Sequence, residues 1–490
     1  MIDRLTLHNY VQRMLTPVAV VGGAVACGYL ATHKFSLLLL LFTMVLSAFL
    51  ILKGRKDIAF GLIITLVIMN NFYDLIPNQI FSNNMLNKLS DFGFIYLGIV
   101  TTTFIPHVFL RRNRNIPAFV KCFYLFLSIV VGSFIISLAS LPYPIIDTFR
   151  AFRAYLGYLL LPLLIVIFDK DSSPNLSIIF NKLLRYISYI SFILLILYNL
   201  QFLMQHQFFF GYGSVYRSSI HTYIRSLPNF LLFSYFFFWL FLAQWLSGKR
   251  LSYWKLIYIG LSCSATLFTF TRGLYISIVL LTFLLFAFML KLKSVNMARF
   301  TLTSTLSLLF VIMAIAFSLM QPFVERMLSV STDLLNSGHN STSNYRRELI
   351  EDRIRIIKRN NPWIGIGFVH ERYAYNDYGP FIGNQAPGEL PTIGCADIAW
   401  GNIIYQTGII GVVSFLLYIV ALLAFIVKQL SRYQMDLLFL QMASCFELLR
   451  NIFLMFIGSS YTYQTHNIAL FLGVSAYLHI VHSRHVRLSS

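Results

Sequence analysis

Charged residues are scarce in this 490-residue sequence: they make up 11% of the chain, whereas 58% of the residues are hydrophobic and the mean hydropathy is +0.71. A soluble globular domain does not have this composition, because it needs more charged and polar residues to cover its surface. The sequence therefore predicts a protein embedded in a lipid bilayer.

Cysteine is also rare, and its five positions show neither the spacing of a zinc site nor an obvious disulfide framework. A glycine-rich phosphate loop with its lysine and a metal-binding Cys/His cluster are missing too. We therefore expect no metal and no other cofactor.

Acidic residues are fewer than basic ones, with 18 Asp and Glu against 38 Lys and Arg, which gives a formal net charge of +20. The basic residues fall mostly in short clusters between apolar runs of about 20 residues, the length that crosses a bilayer. This pattern is typical of membrane topology, so we expect no nucleic-acid partner.

The apolar runs predict an all-α polytopic membrane protein with about 12 to 14 transmembrane helices. Windows of spanning length lie near 15–32, 35–52, 57–73, 91–110, 117–139, 149–168, 184–204, 227–246, 254–271, 273–290, 300–320, 401–427, 435–457 and 466–482. We divide the chain into a helix bundle over residues 1–320, a large loop over 321–400 and C-terminal helices over 401–490.

Basic clusters follow every second span, as the cytoplasmic excess of Lys and Arg requires when the N-terminus lies inside. Both termini are then cytoplasmic, and the N-terminal segment is not a cleaved signal, because its apolar run lacks a convincing cleavage site. We expect the protein in the bacterial inner membrane with the 321–400 loop outside. The clusters are Lys53/Arg55/Lys56, Arg111/Arg112/Arg114, Lys182/Arg185, Lys249/Arg250, Lys291/Lys293/Arg299, Lys428/Arg432 and Arg484/Arg487.

The 321–400 loop is long, polar and rich in arginine, and a loop of this size on a helical scaffold is typical of a functional segment. Apolar residues at spacings of three and four predict a helix from Asn344 to Lys358. Asn360-Asn361-Pro362 ends that helix, and the following Gly365-Ile366-Gly367 predicts a turn.

Arg272 stands in Thr271-Arg272-Gly273, between two apolar runs with almost no loop between them. An arginine at a membrane boundary is costly without an anionic partner, and a guanidinium can hold two phosphate oxygens together. Arg272 therefore either binds a lipid pyrophosphate or reaches the lipid headgroups.

Three segments together resemble the O-antigen ligase and polymerase family in order and spacing over about residues 255–425. They are Thr271-Arg272-Gly273, the run from Arg347 through Pro362 to Gly365-Ile366-Gly367, and Asp397-Ile-Ala-Trp400-Gly-Asn402 followed by Gly408-Ile-Ile-Gly411. The resemblance implies a multi-helix fold of the lipid-dependent glycosyltransferase kind, similar to the GT-C class. Its large loop would lie in the periplasm or outside the cell.

The resemblance also implies residue roles. Arg272 and Arg347 would hold the undecaprenyl pyrophosphate of the glycan donor. Asp397 takes the place of the histidine that ligases keep, and a carboxylate in a less polar setting can accept the proton of the acceptor hydroxyl. The missing histidine favours a polymerase over a strict ligase. Asp397 can equally cap the helix that follows it.

Five further arginines are candidates for binding the substrate: Arg346 beside Arg347, Arg150 and Arg153 at the start of the sixth span, and Arg217 and Arg225 in the loop over 205–226. Anchoring to lipid headgroups is the alternative for Arg150 and Arg153, and a place in an interfacial aromatic belt is the alternative for Arg217 and Arg225. His339 and His370 are weaker candidates for the base.

Glu447 and Arg450, one turn apart within an apolar run, predict an ion pair inside the bundle, and a functional role is the alternative.

We therefore expect an enzyme that joins undecaprenyl-pyrophosphate-linked repeat units into O-antigen, capsule or exopolysaccharide by inverting transfer without a metal. A ligase that transfers glycan to another acceptor is the first alternative, and a glycan-lipid flippase or transporter is the second. A non-enzymatic assembly subunit that binds anionic polysaccharide is the third. The expected partners are the glycan donor, a glycan acceptor and membrane lipids. A flippase and a chain-length regulator are further candidate partners.

Labelling of Cys395 tests the predicted side of the loop. A maleimide that cannot cross membranes should label this cysteine in intact spheroplasts, because the loop faces outward and the other four cysteines lie in apolar runs. Cys395→Ser removes the signal and serves as the control. Labelling that appears only after the membrane is permeabilised would place the loop in the cytosol and contradict the topology.

Overall fold

The computed structural model describes residues 45–46, 49, 97, 116–170, 174–204, 213–217, 222–226, 229–269, 272–292, 296–302, 342–369, 399–428, 435–455 and 465–489. The described part is helical apart from one two-stranded hairpin, which confirms the all-α class. The helices are α1 Ala118–Ser140, α2 Ile145–Phe152, α3 Leu160–Lys170, α4 Pro174–Met204, α5 Asn229–Leu246, α6 Tyr253–Phe268, α7 Arg272–Lys291, α8 Thr342–Arg359, α9 Ala399–Lys428, α10 Met435–Leu454 and α11 Thr465–Ser489.

Five of the described helices are long and apolar enough to cross a bilayer, so the chain is a membrane protein. They are Ala118–Ser140, Leu184–Met204, Gly273–Lys291, Ala399–Lys428 and Leu437–Leu454. Shorter apolar helices are Tyr155–Ile165, Phe233–Leu246 and Asn467–His479. Apart from residues 45–46, 49 and 97, the predicted windows before residue 111 lie outside the described residues, and so does most of 300–320.

The predicted span over 149–168 is not one regular helix. A 3-10 segment, Arg153–Leu159, separates α2 from α3. Tyr155 and Tyr158 of this segment are buried, and the Tyr158 ring lies edge-on to Phe123 and Phe126 of α1. A 3-10 stretch within a longer helix often marks a strained or functional position.

The hairpin pairs β1 (Gly213–Arg217) with β2 (Thr222–Ser226) in the predicted loop over 205–226. The antiparallel register sets Arg217 opposite Thr222 and Ser214 opposite Arg225. The sequence analysis predicts no strand in this loop, so the hairpin is an addition to the predicted fold.

Aromatic side chains fill much of the helix bundle. α1 packs along α9, where Phe126 approaches Phe415 and Phe123 approaches Tyr418. α10 packs against α5 and α11, while α11 also contacts α3 and the 3-10 segment. Aromatic rings bury a large area and gain further from edge-to-face and offset-stacked contacts, so they suit a core in which the surrounding lipid is as apolar as the interior.

Glu447 and Arg450 of α10 form the predicted ion pair, and both side chains are fully buried. Arg450 Nε donates to Glu447 Oε2 at 2.9 Å, and the guanidinium carbon lies 4.8 Å from the centre of the Tyr235 ring in α5. Asn451 Nδ2 donates to the Glu447 carbonyl at 2.8 Å. These contacts connect α10 to α5. They also lower the free-energy cost of burying the two charges, which would be high for an isolated charge at this position.

Glu447→Ala is expected to lower the free energy of unfolding by about 3 to 5 kcal/mol, because it removes the carboxylate from a buried guanidinium. Thermal unfolding of the protein in detergent measures the loss. Glu447→Ala combined with Arg450→Ala should cost less than the sum of the single changes. Phe453→Ala, at a side chain 39% exposed on the same helix, is the control. Additive losses would show that the pair contributes no coupling.

Candidate functional site

The loop helix α8 includes Arg346 and Arg347. Its presence confirms the helix predicted over 344–358. Its C-terminal half faces the bundle through Arg353, Ile356 and Ile357, all buried. α8 packs on α9, so the polar loop is attached directly to a membrane helix. Arg347 precedes the buried Arg353 by six residues, about 9 Å along the helix axis.

Asparagines end α8 at the predicted position. Asn360 Nδ2 donates to the Ile356 carbonyl at 2.9 Å. Asn361 Oδ1 then accepts from the backbone N–H groups of Trp363 at 3.0 Å and Ile364 at 3.2 Å, and this local turn replaces further helical bonds. The chain leaves the helix with Pro362 and enters a compact turn.

Helix α9 is broken at Gly408, whose backbone has φ 62° and ψ −161°. In a continuous helix, the N–H groups of Ile409 and Ile410 would donate to the carbonyls of Tyr405 and Gln406. The break frees those two donors and two acceptors inside the protein, and each needs a new partner.

Residues 362–369, which we name the inserted turn, supply most of the new partners. Ile409 N donates to the Pro362 carbonyl at 2.9 Å, and Ile410 N donates to the Trp363 carbonyl at 3.1 Å. In return, Ile366 N donates to the freed Tyr405 carbonyl at 2.7 Å. The end of the loop helix and the broken membrane helix therefore share one set of backbone hydrogen bonds.

Gly365 and Gly408 make this exchange sterically possible. A Cβ atom on Gly365 would lie 2.4 Å from the Tyr405 carbonyl oxygen, and one on Gly408 would lie 2.4 Å from the Trp363 carbonyl oxygen. Both residues also have positive φ, 73° and 62°. The Gly-x-Gly and Gly-x-x-Gly patterns of the sequence thus meet across one backbone contact, where a side chain on either has no room.

Side chains of α1 and the 3-10 segment complete the contact. Ser133 Oγ donates to the freed Gln406 carbonyl at 2.6 Å, and Ser137 Oγ accepts from Phe368 N at 2.8 Å. Tyr155 Oη donates to Gln406 Oε1 at 2.5 Å. Gln406 therefore receives hydrogen bonds from two other helical elements, one at its carbonyl and one at its side chain.

A small apolar cluster lies beneath the loop helix and holds it to α9. Its buried members are Ile356, Ile357, Ile366, Val369 and Tyr405. The guanidinium carbon of Arg353 lies 5.9 Å from the centre of the Tyr405 ring, a cation–π distance. Arg353 is 1% exposed, so this charge belongs to the interior of the loop and not to its surface.

Phe368 brings the start of the sixth predicted span to the inserted turn. Its ring lies 5.2 Å from Phe152 and 5.3 Å from Tyr155, both edge-on, while Phe134 of α1 stacks on Phe152. Arg153 follows Phe152 directly and has a partly exposed side chain. Arg150 lies on the preceding turn of α2. The segment with these two candidate arginines is therefore at the same end of the bundle as the turn that follows Arg347.

For the other candidate residues the structure gives the position in an element and no side-chain contact, or the residue lies outside the described part of the chain. Arg272 is the first residue of α7, which packs mainly on α10. Arg217 and Arg225 occupy the two strands of the hairpin, in different pairs of the register. Asp397 lies outside the described residues, as do His339 and His370. Ala399 N, two residues after Asp397, donates to the Met455 carbonyl at 3.1 Å, which holds the start of α9 against the end of α10.

Four buried residues at this contact were missed from the sequence: Ser133, Ser137, Gln406 and Arg353. The two serines had a usable signal, since they stand four residues apart in an otherwise apolar run and therefore on one helix face. Gln406 and Arg353 had none, because a single polar residue in a membrane helix or a single arginine in a basic loop helix is common.

Part of the chain is similar to a known protein family. Residues 257–416 match the family described as O-antigen ligase. The match contains α7, the loop helix, the inserted turn and the broken part of α9, and it confirms the resemblance seen over 255–425. No curated protein matches the chain.

The similarity of residues 257–416 to the O-antigen ligase family is consistent with a role in processing lipid-linked glycan at the membrane. Among the residues that the structure describes, no group of three or more His, Cys, Asp or Glu side chains is placed to hold a metal ion. The elements assembled here are instead arginine-bearing helices, a rigid backbone junction and an aromatic cluster.

Substitution of the two contact glycines tests the junction. Gly365→Ala and Gly408→Ala should each lower stability by at least about 1 to 3 kcal/mol and abolish activity, because the new Cβ meets backbone atoms and φ is positive. Gly132→Ala and Gly260→Ala are matched controls, since no atom lies within 4 Å of a Cβ at either position. The measurements are thermal unfolding in detergent and glycan synthesis in cells. Tolerance of alanine at both 365 and 408 would contradict the backbone exchange.

Proposed function

We propose that this protein is a polymerase that joins lipid-pyrophosphate-linked oligosaccharide repeat units into a surface polysaccharide. The observation that carries the proposal is the attachment of the arginine-bearing loop helix to a membrane helix within the segment that matches the O-antigen ligase family. An enzyme that acts on a lipid-bound diphosphate needs its cationic groups fixed near the membrane surface. The packing of the loop helix on α9 fixes the backbone that carries these arginines.

The reaction begins when a hydroxyl group of the acceptor sugar attacks the anomeric carbon of the donor glycan. A new glycosidic C–O bond forms while the bond between that carbon and the pyrophosphate oxygen breaks, so the configuration at the carbon inverts. The bonding electrons leave with the pyrophosphate, and the proton of the hydroxyl goes to a base. The diphosphate is already a good leaving group, so the protein's part is to orient the two sugars and to stabilise the developing negative charge.

Arg347 and Arg272 are assigned to the pyrophosphate of the undecaprenyl donor. A guanidinium remains charged at every working pH and offers paired donors that match two phosphate oxygens. Arg347 is suited to this role by its position on α8, about 9 Å along the helix from the anchored Arg353. Arg346, Arg150 and Arg153 are assigned to further contacts with donor or acceptor, and Arg217 and Arg225 of the hairpin to the outer edge of the site.

Asp397 is assigned as the base that accepts the acceptor's proton. It precedes α9 by two residues, and the start of that helix is fixed by the bond from Ala399 to Met455. Proton transfer requires a base at a defined position relative to the acceptor hydroxyl, and the anchored start of α9 is the described element nearest to Asp397 in sequence. In this proposal the transfer proceeds without a metal.

The polymerase is preferred over the ligase because an aspartate stands where ligases of this family keep a histidine. A ligase that transfers glycan to a lipid or another acceptor remains the second candidate, and the description of the matching family favours it. The proposal also includes an inner-membrane location with the loop outside, and a flippase and a chain-length regulator as partners.

Glycan length in cells tests the proposal. Arg347→Ala and Asp397→Asn should lower the polymerisation rate by about 100-fold or more, because each removes a group that acts in the transition state. Cells with either variant should then show surface glycan of single repeat units in place of long chains on a gel. Lys358→Ala, at an exposed position of the same helix, is the control and should retain long chains.

Other outcomes identify the alternatives. Loss of all attached glycan, together with accumulation of lipid-linked polymer, would show a ligase. Transport of lipid-linked units across sealed vesicles without chain growth would show a transporter. Normal chain length in both variants would remove Arg347 and Asp397 from the mechanism.

A further inference from the structure

The helix break and the inserted turn leave two buried backbone groups that the exchange between them does not satisfy. The Gln406 carbonyl has lost its helical donor, because Ile410 N donates to Trp363 instead. Phe368 N belongs to a residue with 0% exposure. A buried backbone group without a partner is strongly disfavoured in an apolar interior, so each group needs a donor or acceptor from elsewhere.

A single pair of serines on α1 satisfies both groups. Ser133 and Ser137, which we name the serine pair, are 6% and 1% exposed. Ser133 Oγ donates to the Gln406 carbonyl at 2.6 Å. Ser137 Oγ accepts from Phe368 N at 2.8 Å and donates to the Ser133 carbonyl at 2.7 Å, so its hydroxyl is used in both directions.

The serine pair therefore connects three elements that are distant in sequence. Ser133 bonds the last turn of α9 before its break, and Ser137 bonds the inserted turn that follows the loop helix. Four residues along one helix correspond to about 6 Å, so α1 sets the spacing between the two bonded groups. The proposed base, Asp397, precedes α9, and the proposed phosphate ligand, Arg347, lies on the loop helix.

We propose that Ser133 and Ser137 are positioning residues for glycosyl transfer, which fix the loop helix relative to the start of α9. This inference rests on the proposed function. The serine pair bonds backbone groups of the junction and assists the reaction by holding the loop helix, which carries Arg347, in place relative to α9. Because a misplacement of about 1 Å reduces catalysis strongly, loss of either hydroxyl should lower the rate of the chemical step more than it weakens donor binding.

The same helix offers matched control serines. Ser128 Oγ donates to the Tyr124 carbonyl at 2.8 Å, and Ser140 Oγ donates to the Ile136 carbonyl at 2.7 Å. These hydroxyls bond to α1 itself, four residues back, as Ser137 does in its donor direction. Removal of either one changes helix α1 equally but leaves the Gln406 carbonyl and Phe368 N with their partners.

The experiment uses the full chain in lipid nanodiscs with a lipid-pyrophosphate-linked repeat unit as substrate. Hydrogen–deuterium exchange by mass spectrometry is followed in peptides that cover 362–369 and 403–411. Ser133→Ala and Ser137→Ala should exchange faster than wild type in these peptides, and kcat should fall about tenfold or more while KM changes less than about threefold. Ser133→Thr keeps the hydroxyl and should restore both values. Ser128→Ala and Ser140→Ala should match wild type.

A further variant, Ser137→Cys, tests the same bond in case the alanine variants fold poorly. Ser137→Cys keeps a side chain of similar size but offers a weaker acceptor to Phe368 N, so it should show the same direction in exchange and kcat. Wild-type exchange and wild-type kcat in the folded fractions of all three variants would overturn the positioning role. Faster exchange with unchanged kcat would overturn it as well, since the bonds would then serve stability alone.

Failure of the proposed function gives a different result. A wild-type protein that does not lengthen lipid-linked units would refute the polymerase and with it the catalytic part of this inference. The exchange data of the same variants would still show whether the serine pair holds the junction. Activity in wild type together with faster exchange and a lower kcat in the alanine variants supports both proposals.

Discussion

Two hydrogen bonds that a continuous α9 would make at Tyr405 and Gln406 are exchanged at Gly408 for four bonds to other parts of the chain. Two go to the carbonyls of the inserted turn, one comes back from Ile366, and one comes from Ser133. Since the partners are backbone groups in an apolar interior, the exchange is favourable only when all of them are present. The position of the polar loop on the membrane bundle depends on this junction.

The sequence predicts the parts of the fold that local patterns encode. Apolar runs give most of the described helices, spacings of three and four give α8, and Asn360-Asn361-Pro362 gives its end. The Glu447–Arg450 pair is also predicted, because one-turn spacing places two opposite charges side by side wherever the helix is buried. These features require only residues that are close in sequence.

The junction could not be predicted in the same way. Ser133 and Gln406 are 273 residues apart, and their bond involves a backbone carbonyl that any residue type would supply. Gly408-Ile-Ile-Gly411 is a common pattern in membrane helices, so by itself it does not predict a break. The 3-10 segment lies within an apolar run that predicts one continuous span, and the hairpin lies in a loop for which no strand was predicted. For Arg272, Arg347 and Asp397 the sequence proposes roles that rest on the resemblance to the family.

The bond pattern at the junction has a consequence for how such a loop can diversify. Val369 belongs to the inserted turn, and Ala399 is held by Met455, so both ends of the stretch between them are fixed to the bundle. Lengthening a closed segment costs little, about 0.6 kcal/mol for each doubling of its length. Insertions and deletions over 370–398 can therefore change the length of this stretch at little cost while the anchoring points keep their places. Variation in this stretch therefore does not require a change in the membrane scaffold.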